Sequence, residues 1–174
     1  MRTAIVCESW FGNTRRIAEA VADALGAVGD AVVFTVDEPR PAVDEFDLLV
    51  VGAPTHVHGL STASSRKAAL RQQDQTGPEG IGVRGWLDGL PEGAGRRAAA
   101  FDTRLGKPAV LTGSAARGIA KRLERHGFEL VVPPESFIIL GDNSLEEGEL
   151  ERAATWAALV RERTGAEEAA LARD

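Results

Sequence analysis

The sequence has no tyrosine, a single cysteine and a single methionine, and aromatic residues make up 5% of it. Without tyrosine, no planar ligand can be sandwiched by a tyrosine ring. With Cys7 alone there is no internal disulfide and no cysteine-rich zinc site, and the chain suits a reducing compartment. No apolar run approaches the length that spans a bilayer. Met1-Arg2 leads directly into a strand-like stretch too short to be the apolar part of a signal peptide. The expectation is a soluble, cytoplasmic protein. Excess cation is also missing: the formal charge of -6 argues against non-specific nucleic-acid binding and is compatible with docking onto basic protein partners.

What is present is an ordinary globular composition, 44% apolar and 26% charged. The 174 residues fit one domain, and at this length folding hides roughly 70% of the extended surface. We expect one domain over residues 1–164 and a frayed tail over 165–174, with no internal repeat and no linker. Thr3 to Cys7 and Leu48 to Gly52 are nearly continuous apolar runs, the pattern of strands covered on both faces of a parallel sheet. Ala31 to Val36 reads as a second strand and Arg97 to Phe101 as a fourth, with a polar connection from Asp102 to Pro108 before Ala109-Val110-Leu111. Phe128 to Val132 and Phe137 to Leu140 read as one strand broken by Pro133-Pro134, which places it at an edge because proline donates no ladder hydrogen bond.

Helical spacing accompanies these strands. Ile17, Val21 and Leu25 form one stripe, stopped by Gly26 and Gly29, and Ala116, Ile119, Ala120 and Leu123 form another, ended by Gly127. Ala63 to Arg71 and Val83 to Leu90 read as weaker helices about a polar, glycine-containing loop. Ser144 and Glu147 have capping-box spacing for a last helix whose Leu150, Ala153, Ala157 and Val160 face the sheet. The alternation predicts an α/β fold: a three-layer, doubly wound, five-stranded parallel sheet in the order 2-1-3-4-5. Such sheets bind ligands beyond the carboxyl ends of their strands, where the winding reverses between strands one and three. Those ends carry residues 8–14 and 53–61.

In the first of these loops, Ser9-Trp10-Phe11-Gly12-Asn13-Thr14 has the parts of a phosphate cradle. The first N–H groups of a helix lack intrahelical acceptors and lie at the positive end of its dipole. Gly12 allows close backbone approach, and Ser9, Asn13 and Thr14 add side-chain donors. The plainer alternative is that Asn13 or Thr14 is only a helix cap and Gly12 only a turn residue. Arg15 and Arg16 stand where the dipole disfavours cations, facing solvent, a phosphate or a partner. His56 and His58 share one side of an extended segment but have no further ligands that would make a metal site.

Other phosphate chemistries lack their residues here. A Cys-x5-Arg phosphatase loop would need arginine where Asn13 stands. A phosphoacceptor domain would need paired acids after strand one and an aspartate after strand three, where the sequence has Cys7-Glu8 and Gly52-Ala53-Pro54. No Gly-x4-Gly-Lys-Ser/Thr is present. Cys7, at a buried strand end, reads as a small packing residue.

The segment from Glu8 to Ala18 resembles the phosphate loop of flavodoxins, Thr/Ser-x-Thr-Gly-Asn/x-Thr, with Ser9, Gly12, Asn13 and Thr14 matching. Phe11 replaces a hydroxyl residue and looks more like the Ser-x-Tyr-Gly of the related FMN-dependent NAD(P)H:quinone oxidoreductases. The loop from Gly52 to Ser61 resembles the same group through its Pro-Thr-x-x-x-Gly pattern, matched by Pro54, Thr55 and Gly59.

The resemblance implies an FMN cofactor, with NAD(P)H as reductant and a redox partner protein or a small quinone-like acceptor. It implies cofactor contacts from Ser9, Trp10, Phe11, Gly12, Asn13 and Thr14, from Pro54, Thr55, His56 and Gly59, and from Asp102, Thr103 and Arg104. Gly59 would offer its peptide to flavin N5 or serve only loop shape. Trp10 and Phe11 would touch the ring or pack locally, and His56 falls near a usual stacking tryptophan. Three roles are consistent with these features: an electron carrier, a small oxidoreductase, and a binding or regulatory scaffold that has lost FMN.

Overall fold

A computed structural model of the chain describes residues 1–27, 29–56, 59–72, 80–107 and 112–171, with side chains to Gly165. Strand β1 (Arg2–Cys7) is followed by helix α1 (Asn13–Gly26) and β2 (Asp30–Thr35). Between β2 and β3 (Leu48–Pro54) the only helical piece among the described residues is a single 3-10 turn, Val43–Glu45. Helices α2 (Ala63–Gln72) and α3 (Gly82–Asp88) lead to β4 (Arg97–Leu105). Helix α4 (Ala115–Arg125), the short strands β5 (Glu129–Leu130) and β6 (Glu135–Ile139), and helix α5 (Glu149–Leu171) complete the order.

All strand pairs are parallel, in the order β2-β1-β3-β4 with β5 and β6 one after the other beside β4. This is the expected 2-1-3-4-5 arrangement, its fifth position split at Pro133-Pro134. Beyond β6 the chain turns back, with Leu140 N–H donating to Ser144 C=O and Glu146 N–H to Ile138 C=O. That return closes part of the sheet edge, as exposed edges require.

Alternation along the strands explains the layers. Ala4 and Val6 of β1 with Leu49 and Val51 of β3 face Val83, Trp86 and Leu87 of α3 and Ile119 and Leu123 of α4. Ile5 and Cys7 with Leu48 and Val50 face Ile17, Val21 and Leu25 of α1 and Ala153, Trp156, Ala157 and Val160 of α5. On that second face Phe101, Phe137 and Trp156 meet edge to face, with centroids 5.9 to 6.1 Å apart. Gly52 makes room for them: a Cβ there would lie 2.1 Å from Cζ of Phe101.

Two sequence expectations need correction. Asp102 to Leu105 are not a loop but the second half of β4, held by register with Ala53–Pro54 of β3 and with Ser136–Ile139 of β6. Their polarity concealed this, because Asp102 and Thr103 are buried yet hydrogen-bonded. Ser144 and Glu147 do not cap the last helix, which starts at Glu149 with Gly148 C=O accepting from Arg152 N–H. The Ser144 hydroxyl instead donates to Asp142. The helix continues to Leu171, and residues 172–174 of the expected tail lie outside the described residues, as do 73–79 of the polar loop and Ala109-Val110-Leu111.

Candidate functional site at the switch point

The loop between β1 and α1 is shaped by Gly12, whose φ of 85° is left-handed and whose carbonyl accepts the Arg16 N–H at 3.0 Å. No side chain caps from that position, and a Cβ added there would meet nothing within 4 Å, so the space beside Gly12 is open. Ser9 Oγ accepts the Arg15 N–H at 3.2 Å, which leaves its hydroxyl proton for another acceptor. Asn13 and Thr14 are buried. The Asn13 amide donates to Asn143 C=O at 2.5 Å, tying α1 to the turn after β6. The Thr14 and Thr103 hydroxyls are 2.8 Å apart.

A carboxylate controls the other side of this loop. Glu8, 2% exposed, takes the Trp10 indole N–H on Oε1 at 2.8 Å, and Ser61 Oγ at 2.9 Å and Val83 N–H at 2.8 Å on Oε2. Ser61 Oγ in turn accepts from the buried Arg66 guanidinium at 3.2 Å. Gly82, at φ 60°, makes this possible, since a Cβ there would lie 2.7 Å from Arg66 Nη1. The network fixes Trp10 beside Val36 and Asp37, which follow β2. Sequence reasoning missed Glu8, Ser61 and Arg66 as site-forming residues. The available signal was an acid directly at the end of a buried strand.

The second and third loops are joined through Asp102. Its Oδ2 accepts from Thr55 Oγ1 at 3.0 Å, Ser114 Oγ at 2.7 Å and Ala116 N–H at 2.9 Å. Thr55 Oγ1 also accepts the Ala115 N–H at 2.8 Å, and Thr55 N–H donates to Thr103 C=O at 2.9 Å. The sequence-predicted residues Thr55, Asp102 and Thr103 are therefore brought together, with Pro54 opposite Thr103 in the ladder. Asp102 Oδ1 is buried without a donor. Arg104 braces its own turn, donating to Leu105 C=O, Lys107 C=O and Thr112 Oγ1.

His56 and Gly59 exchange both backbone hydrogen bonds, at 2.8 and 2.9 Å, and His58 lies outside the described residues. Both backbone groups of Gly59 are thus engaged. Burial pushes the His56 imidazole below its usual pKa, opposed by the Glu8 carboxylate and assisted by the Arg66 cation, and its Nε2 has no partner. Phe11 is 40% exposed and lines a cleft of about 730 Å3 with His56, Gly59, Leu60 and residues of α2 and α3. Trp10 and Phe11 therefore face different sides of the loop. Cys7 is fully buried and its thiol is pushed up to about 12, chiefly by that burial, so it is no nucleophile. Among the described residues no three His, Cys, Asp or Glu side chains gather as metal ligands, and no helix is long and apolar enough to cross a membrane.

In a doubly wound sheet the loops beyond the carboxyl ends of the strands at the switch point are where ligands bind, and Gly12 opens the helix there. Comparison with known proteins narrows the class. Residues 4–71 match a family model described as a flavodoxin domain. No curated protein sequence matches the chain. Among solved structures, oxidised flavodoxin 1 from Bacillus cereus aligns with a TM-score of 0.67 at 17% identity, covering 93% of this chain and 98% of its own. A flavodoxin, WrbA-like protein from Agrobacterium tumefaciens aligns at 0.62 and 18%, covering 94% and 96%. The Fusobacterium nucleatum flavodoxin bound to flavin mononucleotide aligns at 0.63 and 14%, covering 93% and 98%. The chain is flavodoxin-like: it has the flavodoxin fold over nearly its whole length.

Proposed function

We propose that the chain binds FMN at the carboxyl edge of its sheet and acts in cytoplasmic electron transfer. The observation that carries this reading is the opening of α1 on Gly12 at the winding reversal, a left-handed glycine with nothing within 4 Å of where its Cβ would stand, beside first-turn N–H groups that lack intrahelical acceptors. In this reading the phosphate lies on the N–H groups of residues 12–14 with the Ser9 hydroxyl donating to it. The Thr14–Thr103 pair has one hydroxyl proton left for the ligand after its mutual bond. Asp102 Oδ1, a buried acceptor without a donor, suits a polyol hydroxyl beside Thr55. When bound, the flavin supplies one-electron and two-electron chemistry, and the protein supplies orientation and electrostatics.

The ring walls differ from an aromatic sandwich. Trp10 is fastened to Glu8, and among the described residues Phe11 and His56 are the other rings at the first two loops. His56, neutral through burial, offers an imidazole that can stack or relay a proton. Two flavin roles follow. A carrier would dock a redox partner protein, whereas a small oxidoreductase would take hydride from NAD(P)H and reduce a quinone-like acceptor. Visible spectra of purified protein before and after FMN addition test the common claim. Turnover of NADH or NADPH with benzoquinone then separates the roles, because a carrier alone shows none. Absence of flavin bands and of FMN fluorescence quenching would support a scaffold that has lost FMN, a reading favoured by the turned-away Trp10 indole.

A further inference from the structure

Helix α4 carries its charge on one side. It bears four cations, Arg117, Lys121, Arg122 and Arg125, and one acid, Glu124, in a chain whose formal charge is -6. Ala115, Ala116, Ile119, Ala120 and Leu123 are buried, whereas Arg117, Lys121 and Arg125 are exposed at four-residue spacing, so these three cations form one outer stripe. Helix stability accounts for part of this charge. Arg122 pairs with Asp88 at 3.4 Å, and Arg125 stands in the last turn, where the helix dipole favours a cation. Arg117 has no such reason. It lies in the first turn, where the dipole disfavours positive charge, and among the described residues no carboxylate pairs with it, with Lys121 or with Arg125. The stripe also begins at the candidate site, since the N–H groups of Ala115 and Ala116, just before Arg117, donate to Thr55 Oγ1 and Asp102 Oδ2.

We infer that the outer face of α4 is a docking surface for a protein partner that presents carboxylates, seated against the rim of the candidate site. An unpaired cation at a helix N-terminus is a local cost that the fold does not offset, and such departures mark function. Charge complementarity selects the partner. From Arg117 to Arg125 the stripe runs about 12 Å at the helical rise, and carboxylates four residues apart on a partner helix repeat at the same interval. Nucleic acid fits less well, because a long polyanion runs past the stripe onto the net negative remainder of the chain. A bilayer fits less well too. Among the described residues the large exposed hydrophobic side chains are Phe11, Val32, Ile81, Leu105, Leu140 and Leu159, and none lies on α4 to enter it. Glu124, beside the stripe, opposes an acidic partner. Net charge alone is compatible with basic partners, whereas its distribution gives this face the opposite preference.

The test is an amide-resolved NMR titration of the isotope-labelled full chain, with and without FMN. The probes are an alanine-based helical peptide bearing glutamate at every fourth position, its glutamine counterpart, a short DNA duplex and phosphatidylserine vesicles. The inference predicts saturable shifts confined to residues 114–126 with the glutamate peptide and none with the glutamine peptide. Binding should weaken about tenfold or more between about 20 and about 300 mM salt, as the screening length falls below that of the stripe. Arg117→Glu and Lys121→Glu should each weaken it about fivefold or more, and Glu124→Gln should strengthen it. If a charge reversal folds poorly, Glu124→Gln and the salt series still decide. Equal binding of the two peptides, absence of shifts, or tighter binding of the duplex or the vesicles overturns the inference. Shifts from the glutamate peptide in a chain that takes up no FMN would uphold the docking surface while sinking the flavin reading.

Discussion

The hydroxyls of Thr14 and Thr103 meet at 2.8 Å, joining the first turn of α1 to the carboxyl half of β4 across the strand between them. Both residues are almost fully buried, so each hydroxyl is the other's answer to lost water. The candidate phosphate loop is in this way braced against the strand that carries Asp102. Thr14→Val alone strands the Thr103 hydroxyl and should cost about 1–3 kcal/mol in urea unfolding. The double variant Thr14→Val/Thr103→Val should recover most of that loss, since replacing both partners by apolar isosteres is nearly neutral. Additive losses would show that the pair does not interact.

Gly12 separates shape from chemistry. Gly12→Val puts a β-branched residue at φ 85° and a side chain into the open space beside the loop. Strain of about 1–2 kcal/mol should appear in stability. FMN affinity should fall by at least tenfold beyond that, read by fluorescence titration of folded protein.

The Glu8 network gives a third prediction. Glu8→Gln puts an amide N–H2 against groups that already donate: Trp10 Nε1 if it takes the Oε1 place, or Ser61 Oγ and Val83 N–H if it takes the Oε2 place. The loss expected for breaking a buried, charge-assisted network is about 3–5 kcal/mol. Glu8→Gln should also release the Trp10 indole and change its fluorescence, whereas Glu19→Gln on the exposed Arg15 pair should change stability by under about 1 kcal/mol.

His56 makes stability depend on pH. Its folded pKa lies below the ordinary value, so the unfolded chain binds more protons in the interval between the two. This contribution is complete above the unfolded pKa of about 6.5 and is lost as pH falls towards the folded value. His56→Gln should flatten the slope of unfolding free energy in that window and leave it unchanged above about pH 7.5. Equal slopes in both proteins would place the titrating group elsewhere.

Most of the architecture was legible in the sequence because it rests on apolar periodicity: the continuous runs at β1 and β3, the four-residue stripe of α1, and Pro133-Pro134 at an edge. β4 was cut short for a physical reason. Asp102 and Thr103 look like loop residues until Thr55, Ser114 and Thr14 arrive from distant segments to satisfy them. The capping-box pattern at Ser144 misled similarly, since the same serine serves a turn hydrogen-bonded to Asp142. Glu8, Ser61 and Arg66 were illegible as a set because nothing local in the sequence joins Glu8 to a serine far along the chain, although an acid at the end of a buried strand asks for partners. Which way Trp10 and Phe11 turn was likewise decided by Glu8 and by the cleft beside α2.

The central claim is that α1 seats a phosphate, and paired fluorescence titrations of the purified chain with FMN and with riboflavin test it most directly. The two ligands share ring and ribityl chain and differ by the phosphate alone. The account predicts saturable 1:1 quenching of FMN, with riboflavin bound at least a hundredfold more weakly and the difference abolished by Gly12→Val. Equal affinities for FMN and riboflavin, or no quenching of FMN, would contradict it.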